Sequence, residues 1–271
     1  MCTLSIISLA TEHEPHLEGL AGFRVAMNRD EEHSRPAAIP PRWRGLSDGG
    51  RAIWPTDPKG GGTWIGARQD GHVFCLLNYN LRPAPPSPRH PISRGRIIPA
   101  LVEQPHADAA ITTICAMELD RFAPFRLVIV APDAPSRAWR GWSRVHELRW
   151  NGVQLDRLPP ISPAACFVSS GLGDQIVAPR LELFGARVAP AASSRVQDEF
   201  HAHSWPDRPA ESVMMHRADA RTVSVTTVEV AARGGLPHVL MSYRAVESRS
   251  AITGPDASAV AAVATLARCK A

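Results

Sequence analysis

A cysteine stands at position 2, and its side chain is small enough for the preceding Met1 to be trimmed. Trimming would leave a thiol and a free α-amine on one residue. The amine has an unperturbed pKa near ~8, so its neutral form can take the proton of the thiol, or of an attacking water, without a separate histidine base. Met-Cys alone is more often an inert terminal residue, so the weight falls on the groups that accompany it.

An acyl-transfer site also needs a donor for the developing oxyanion and a group that fixes the nucleophile. Asp30 is the candidate orienter, bracketed by Asn28 and Arg29. Asn78, at the end of a strand entered from a Gly-rich turn, is the candidate oxyanion donor. Asn28, Arg29, Glu31 and Asn80 are candidate ligand-binding residues at the same two strand ends. The competing readings are a solvated charged turn for residues 28–32 and a turn-capping role for Asn78.

Other chemistry is less well supplied. Cys2, Cys75, Cys115, Cys166 and Cys269 are odd in number and widely spaced, unlike a disulfide framework or a CxxC metal site. The last four read as small buried hydrophobes. His201 and His203 form an HxH without a nearby carboxylate-histidine set, so no metal is expected. Met214, Met215 and His216 carry donor atoms suited to haem, but methionine in a strand is more often core.

The elements that must position these residues can be read from periodicity. Residues 3–9 are β-branched and roughly alternating, which predicts an opening strand, and residues 23–27 predict a second that runs into Asn28-Arg29-Asp30-Glu31-Glu32. Residues 35–58, rich in Pro, Gly and Arg with Trp43 and Trp54, read as a long ordered loop. Gly60-Gly61-Gly62 then leads into a hairpin turning at Asp70-Gly71 and ending on Asn78-Tyr79-Asn80. Residues 83–91 form an exposed polyproline-like connector, and 93–104 and 106–120 are predicted helices. Strands are expected over 126–130, 144–150, 212–216, 221–230 and 238–243, with a bulge or twist in the 221–230 strand, before an Ala-rich helix over 257–271. This order suggests an antiparallel α+β sandwich rather than alternating βαβ units.

At 271 residues the chain is within reach of one hydrophobic core, and with 44% hydrophobic residues it has the material to fill it, so one domain over 1–271 is expected. The net charge of +4 is spread along the sequence, which argues for solubility and against a nucleic-acid partner. The opening residues lack a basic n-region and turn polar by Thr11, and no apolar run approaches the ~20 residues of a membrane span. A cytoplasmic protein is expected, with a small-molecule substrate or ligand.

Met1-Cys2-Thr3-Leu4, Met27-Asn28-Arg29-Asp30-Glu31, Arg35-Pro36-Ala37, Asp57-Pro58, Gly61-Gly62-Thr63-Trp64-Ile65-Gly66 and Leu77-Asn78-Tyr79-Asn80 together resemble the NRDE family, also called the transport and Golgi organisation protein two family. The likeness is strong over about the first eighty residues. It implies a fold similar to the N-terminal nucleophile hydrolases, a four-layer αββα sandwich with the mature N-terminal residue in a cleft. By likeness to choloylglycine hydrolases and acid amidases, which cleave linear amides, Cys2 would be the nucleophile, Asp30 the catalytic aspartate and Asn78 the oxyanion asparagine. Two positions depart from the hydrolase pattern: Met27 stands where an arginine is expected, and Ser169-Ser170 where a second asparagine is expected. The resemblance requires no cofactor and leaves haem open as a ligand, so a non-catalytic carrier of haem or an acyl metabolite is the alternative.

Overall fold

The computed structural model describes residues 2–9, 22–132, 143–233, 236–247 and 260–263. One antiparallel sheet contains β1 (Cys2–Leu9), β2 (Gly22–Glu32), β10 (Ala165–Ser169), β11 (Ala220–Arg233), β12 (Leu236–Ala245) and β13 (Val260–Val263), in the order β10-β1-β2-β11-β12-β13. The other is a meander in chain order: β3 (Ile39–Gly45), β4 (Arg51–Thr56), β5 (Ile65–Arg68), β6 (Val73–Asn78), β7 (Phe125–Pro132), β8 (Ser143–Trp150) and β9 (Leu155–Arg157).

Strand alternation sorts the apolar side chains into three buried layers. Leu4, Ile6, Met27 and Val228 of the first sheet meet Ile65, Cys75, Leu77 and Val128 of the second in the central layer. The outer face of the second sheet, with Phe74, Leu127 and Ile129, packs on Ile98 and Leu101 of α1 (Ile97–Leu101) and on Ile111 and Ile114 of α2 (Ala107–Cys115). On the outer face of the first, Ile7 and Leu9 meet Phe184 of α3 (Pro179–Arg187) and Phe200 of α4 (Ser194–His201). The result is the four-layer αββα sandwich expected of an α+β chain.

Several elements differ from the sequence reading. Residues 35–58 contain a hairpin, β3 and β4, where a loop is expected; β3 is an edge strand with a register shift between Ile39 and Arg42, which accommodates Pro40 and Pro41. Residues 28–32 lie within β2 and are not a solvated turn. Residues 212–216 form no strand, because the backbone N–H groups of Met214 and His216 are taken by His203 and Pro209 carbonyls. The irregularity in β11 falls between Thr222 and Ser224, opposite β2. Within the expected C-terminal helix, residues 260–263 pair instead as β13 with β12, and the rest of that segment lies outside the described residues. The Asp70-Gly71 turn forms as expected, with Gly71 at φ +92°.

The outward residues of β1 and β2 are mostly polar, and α4 satisfies them. Gln197 Nε2 donates to Ser5 Oγ at 2.8 Å, and Ser5 Oγ lies 2.7 Å from His201 Nε2. Asn28 Nδ2 donates to the carbonyls of His201 and Val213, leaving Asn28 Oδ1 to accept from His201 Nδ1 at 2.7 Å. That chain fixes a neutral imidazole with the proton on Nδ1. Burial pushes the His201 pKa down to about 3. Between pH 6.5 and about 3 the unfolded chain therefore binds a proton that the folded chain refuses, and stability falls as pH is lowered, by up to about 1.4 kcal/mol per pH unit for one proton. Long-range nitrogen NMR of the His201 ring should report the neutral tautomer down to pH 5, and titration near 6.5 would contradict the network.

Candidate active site

Cys2 is the first residue of β1, and β1 is bonded on both sides. Its Cα partners are Ser169 on β10 and Arg29 on β2. The Cys2 backbone nitrogen donates to Ser169 Oγ at 3.0 Å. By alternation the Cys2 side chain shares the inner face with Leu4 and Ile6, so it sits in the layer between the sheets. There it borders a cavity of about 390 Å³, also lined by Arg29, Glu31, Asp57, Trp64, Asn78 and Arg94.

The charged wall of this cavity is built by pairing. The Arg29 guanidinium lies 4.4 Å from the centre of the Trp64 ring, with Glu31 at 3.2 Å and Asp57 at 3.7 Å. Arg35 is hydrogen-bonded to the same Asp57 oxygen. Burial alone would raise the Asp57 carboxyl, but Arg35 and Arg29 outweigh it and hold the pKa below the usual carboxylate range. Opposite, the Gly-rich turn makes a backbone-to-backbone contact: Thr63 N donates to the Gly95 carbonyl at 2.9 Å, and a Cβ on Gly62 would lie 2.2 Å from Gly95 backbone atoms. Only glycine at 62 lets the 94–96 turn approach, and that approach brings Arg94 to the cavity.

Asn78 ends β6 opposite Phe125 and lines the cavity; among the described residues its side-chain amide has no hydrogen-bond partner in the protein. The Cys2 thiol is held above its ordinary pKa by burial, with Asp30 and Glu31 adding to the effect and Arg29 opposing it. It is therefore a thiol awaiting a base and not the pre-formed thiolate that a depressed pKa would give.

The structure brings Cys2, Arg29, Glu31 and Asn78 to one cavity and places the other candidates elsewhere. Asn28 points to the opposite face of the sheet, where the α4 network consumes it. Asp30 is on that face too: Thr222 Oγ1 donates to its Oδ1 at 2.6 Å, and Arg180 of α3 lies 3.6 Å from its Oδ2. Burial raises the Asp30 pKa and Arg180 counters it. Residue parity explains the split, since 28 and 30 alternate with 29 and 31 along β2. Asn80 is bonded through Nδ2 to Asp174 and borders a neighbouring cavity. His201 is spent on Ser5 and Asn28, and no group of three metal-ligating side chains occurs among the described residues. Met214, Met215 and His216 line a separate cavity of about 620 Å³ with His33 and Trp205.

Sequence reading misses Asp57, Arg35 and Arg94 as cavity groups and Ser169 as the partner of the Cys2 nitrogen. Arg35-Pro36 and Asp57-Pro58 stood in the sequence as separate motif fragments, and the fold joins them into one ion pair. Ser169 was visible only as a missing asparagine, yet its hydroxyl reaches the Cys2 nitrogen. For Arg94 the sequence carried no signal.

The family model described as Transport and Golgi organisation 2 matches residues 1–145, more than half of the chain. This chain belongs to the Transport and Golgi organisation 2 family. Among curated proteins nothing matches it. Among solved structures, this Transport and Golgi organisation 2 chain is similar to two variants of the conjugated bile acid hydrolase from Clostridium perfringens. Their identities are 11% and 12% and their TM-scores 0.49 and 0.48, each covering 97% of this chain and 92% of the other. It is also similar to the Caenorhabditis elegans ortholog of N-acylethanolamine-hydrolyzing acid amidase, at 12% identity and TM-score 0.45, covering 83% of this chain and 91% of that one.

The polar groups on the far face of the sheet from Cys2 hold α3 in place. Arg180 is 1% exposed, donates to Thr3 Oγ1 at 2.8 Å and to the Glu211 carbonyl at 2.8 Å, and supplies the positive charge beside Asp30. Arg180→Met should cost about 3–5 kcal/mol in urea denaturation, the range for breaking a buried pair from one side. A cost below about 1 kcal/mol would show that the pair does not hold α3 to the sheet.

Proposed function

We propose that this protein is an N-terminal cysteine hydrolase of small linear amides, active once whatever precedes Cys2 has been removed. The observation that carries this reading is the placement of Cys2: its nitrogen is bonded to Ser169 Oγ while its side chain borders a cavity that also holds Asn78. Both ends of the residue are then in use. The α-amine, in its neutral form, takes the thiol proton as sulfur attacks the substrate carbonyl carbon. The Asn78 amide donates to the oxyanion. The carbon–nitrogen bond breaks, the amine leaving group takes the proton from the ammonium, and a thioester remains on Cys2. Water then attacks the thioester, giving its proton to the amine, and the carboxylic acid leaves as the thiol is restored.

The thiol is raised by burial where an activated cysteine is expected to be depressed, so attack needs a base at hand, and the amine on the same residue is placed to supply it. Ser169 takes the role of hydrogen-bond partner to the nucleophile's nitrogen. Asp30 acts on the Cys2 thiol from the far face of β2, and when ionised its charge also favours a protonated amine after attack.

A second reading, a carrier of haem or of an acyl metabolite on the same fold, draws on the separate 620 Å³ cavity, where His216 and Met214 offer donor atoms. It predicts haem binding that is indifferent to Cys2→Ala.

Intact-mass spectrometry with peptide mapping tests the nucleophile reading. The mature chain should begin at Cys2, and N-ethylmaleimide should modify Cys2 faster than the exposed Cys115, with one adduct fewer in Cys2→Ala. Retention of the preceding residue, or Cys2 slower than Cys115, removes the hydrolase reading. Once a turned-over amide is found, Asn78→Ala should lower kcat by about 10²–10³-fold with little change in KM.

A further inference from the structure

The Cys2 cavity is lined by three arginines, and two of them are already matched. Arg29 is paired with Glu31 and Asp57, and Arg35 with Asp57. Arg94 has no carboxylate within ion-pair distance among the described residues. Its hydrogen bond there is from Nη1 to the Pro124 carbonyl at 2.8 Å. A guanidinium carries five N–H donors, so most of its capacity is unspent, and the side chain borders the cavity.

Arg94 also borders a second cavity of about 620 Å³, whose wall includes Tyr79, Pro83, Pro85 and Pro86. Arg94 and Ala123 are common to the two spaces, so Arg94 stands where they join. Its position is built: the Gly62–Gly95 contact sets the backbone, and the Pro124 carbonyl holds one end of the guanidinium. Within the Cys2 cavity, Arg29, Arg35 and Arg94 face Glu31 and Asp57, which leaves one positive charge uncompensated. A monoanion balances that charge, whereas a phosphate dianion overshoots it and meets the two carboxylates.

We infer that Arg94 is a specificity-determining residue that selects substrates carrying a carboxylate close to the scissile amide, with the remainder of the molecule running along the proline-lined cavity. This rests on the reading of the Cys2 cavity as the place where the carbonyl is attacked. A carboxylate there accepts charge-assisted, planar hydrogen bonds from the guanidinium, which a neutral amide cannot match.

Paired alkylating agents test it. Iodoacetate and iodoacetamide react alike: the Cys2 sulfur–carbon bond forms, the carbon–iodine bond breaks, iodide leaves and the thiol proton passes to solvent. They differ only in the carboxylate. The ratio of their rates at Cys2, followed by peptide mass spectrometry, should fall about tenfold in Arg94→Met and recover in part in Arg94→Lys. An unchanged ratio in Arg94→Met, with Cys2 still alkylated by iodoacetamide, overturns the assignment. If Cys2 is alkylated by neither reagent, the nucleophile reading fails separately, and calorimetry decides the anion site. Hexanoate should bind Cys2→Ala about tenfold more tightly than the Cys2→Ala/Arg94→Met double variant, and hexanamide should not distinguish them. Equal hexanoate affinities, or no hexanoate binding to Cys2→Ala, overturn it.

Discussion

The site depends on β1 being an interior strand. A residue at the start of an edge strand would be free to fray, but Cys2 has β2 on one side and β10 on the other. Its nitrogen is tied to Ser169 and its side chain is committed to the central layer by the same alternation that buries Leu4 and Ile6. Cys2 is thus held by the ladder itself. Everything else in the cavity is brought to it: Arg29 by register on β2, Asn78 by the end of β6 across the sandwich, and Arg94 by the glycine contact.

The second constraint is the two-sidedness of β2. Arg29 and Glu31 face the cavity, while Asn28 and Asp30 face the helical layer. One charged run therefore does two jobs. On the cavity side, Arg29 is desolvated against Trp64 and paired with Glu31 and Asp57, and Arg35 shares Asp57, so the excess positive charge of the wall falls to Arg94. On the helical side, Arg180, Thr222, His201 and Gln197 satisfy groups that would otherwise be costly to bury. That network fixes α3 and α4 to the sheet, and through it the backbone from which Cys2 projects.

Much of this was legible in the sequence where a local rule governed it. The alternation of Thr3 to Leu9, the Asp70-Gly71 turn and the strand over 126–130 each follow from period and turn chemistry, and each is present. The cavity members Cys2, Arg29, Glu31 and Asn78 were visible as residue types at strand ends. What could not be read were consequences of register and of distant contact. Which side of β2 each residue of 28–31 faces depends on where the strand is anchored, so the sequence groups Asn28 and Asp30 with Arg29 and Glu31 although their parity places them on the opposite face. The 39–56 hairpin is hidden by its prolines: Pro40 and Pro41 are tolerable because β3 is an edge, and Pro55 lies past the part of β4 that pairs with β5. Ser169 reaches the Cys2 nitrogen across 167 positions, Arg35 joins Asp57 across 22, and Arg94 is brought to the cavity beside Gly62 across 32, separations beyond any local pattern.

The central claim is that the α-amine of Cys2 is the base for its own thiol, and it can be tested by comparing the matured chain with one in which a blocking residue still precedes Cys2. The measurement is the pre-steady-state release of nitrophenolate from p-nitrophenyl acetate. The account predicts a burst from the matured chain that approaches one equivalent per Cys2 and follows the ionisation of an amine near pH ~8, with no burst from the blocked chain. Equal bursts from the two chains would contradict it, because the thiol would then be activated without the amine.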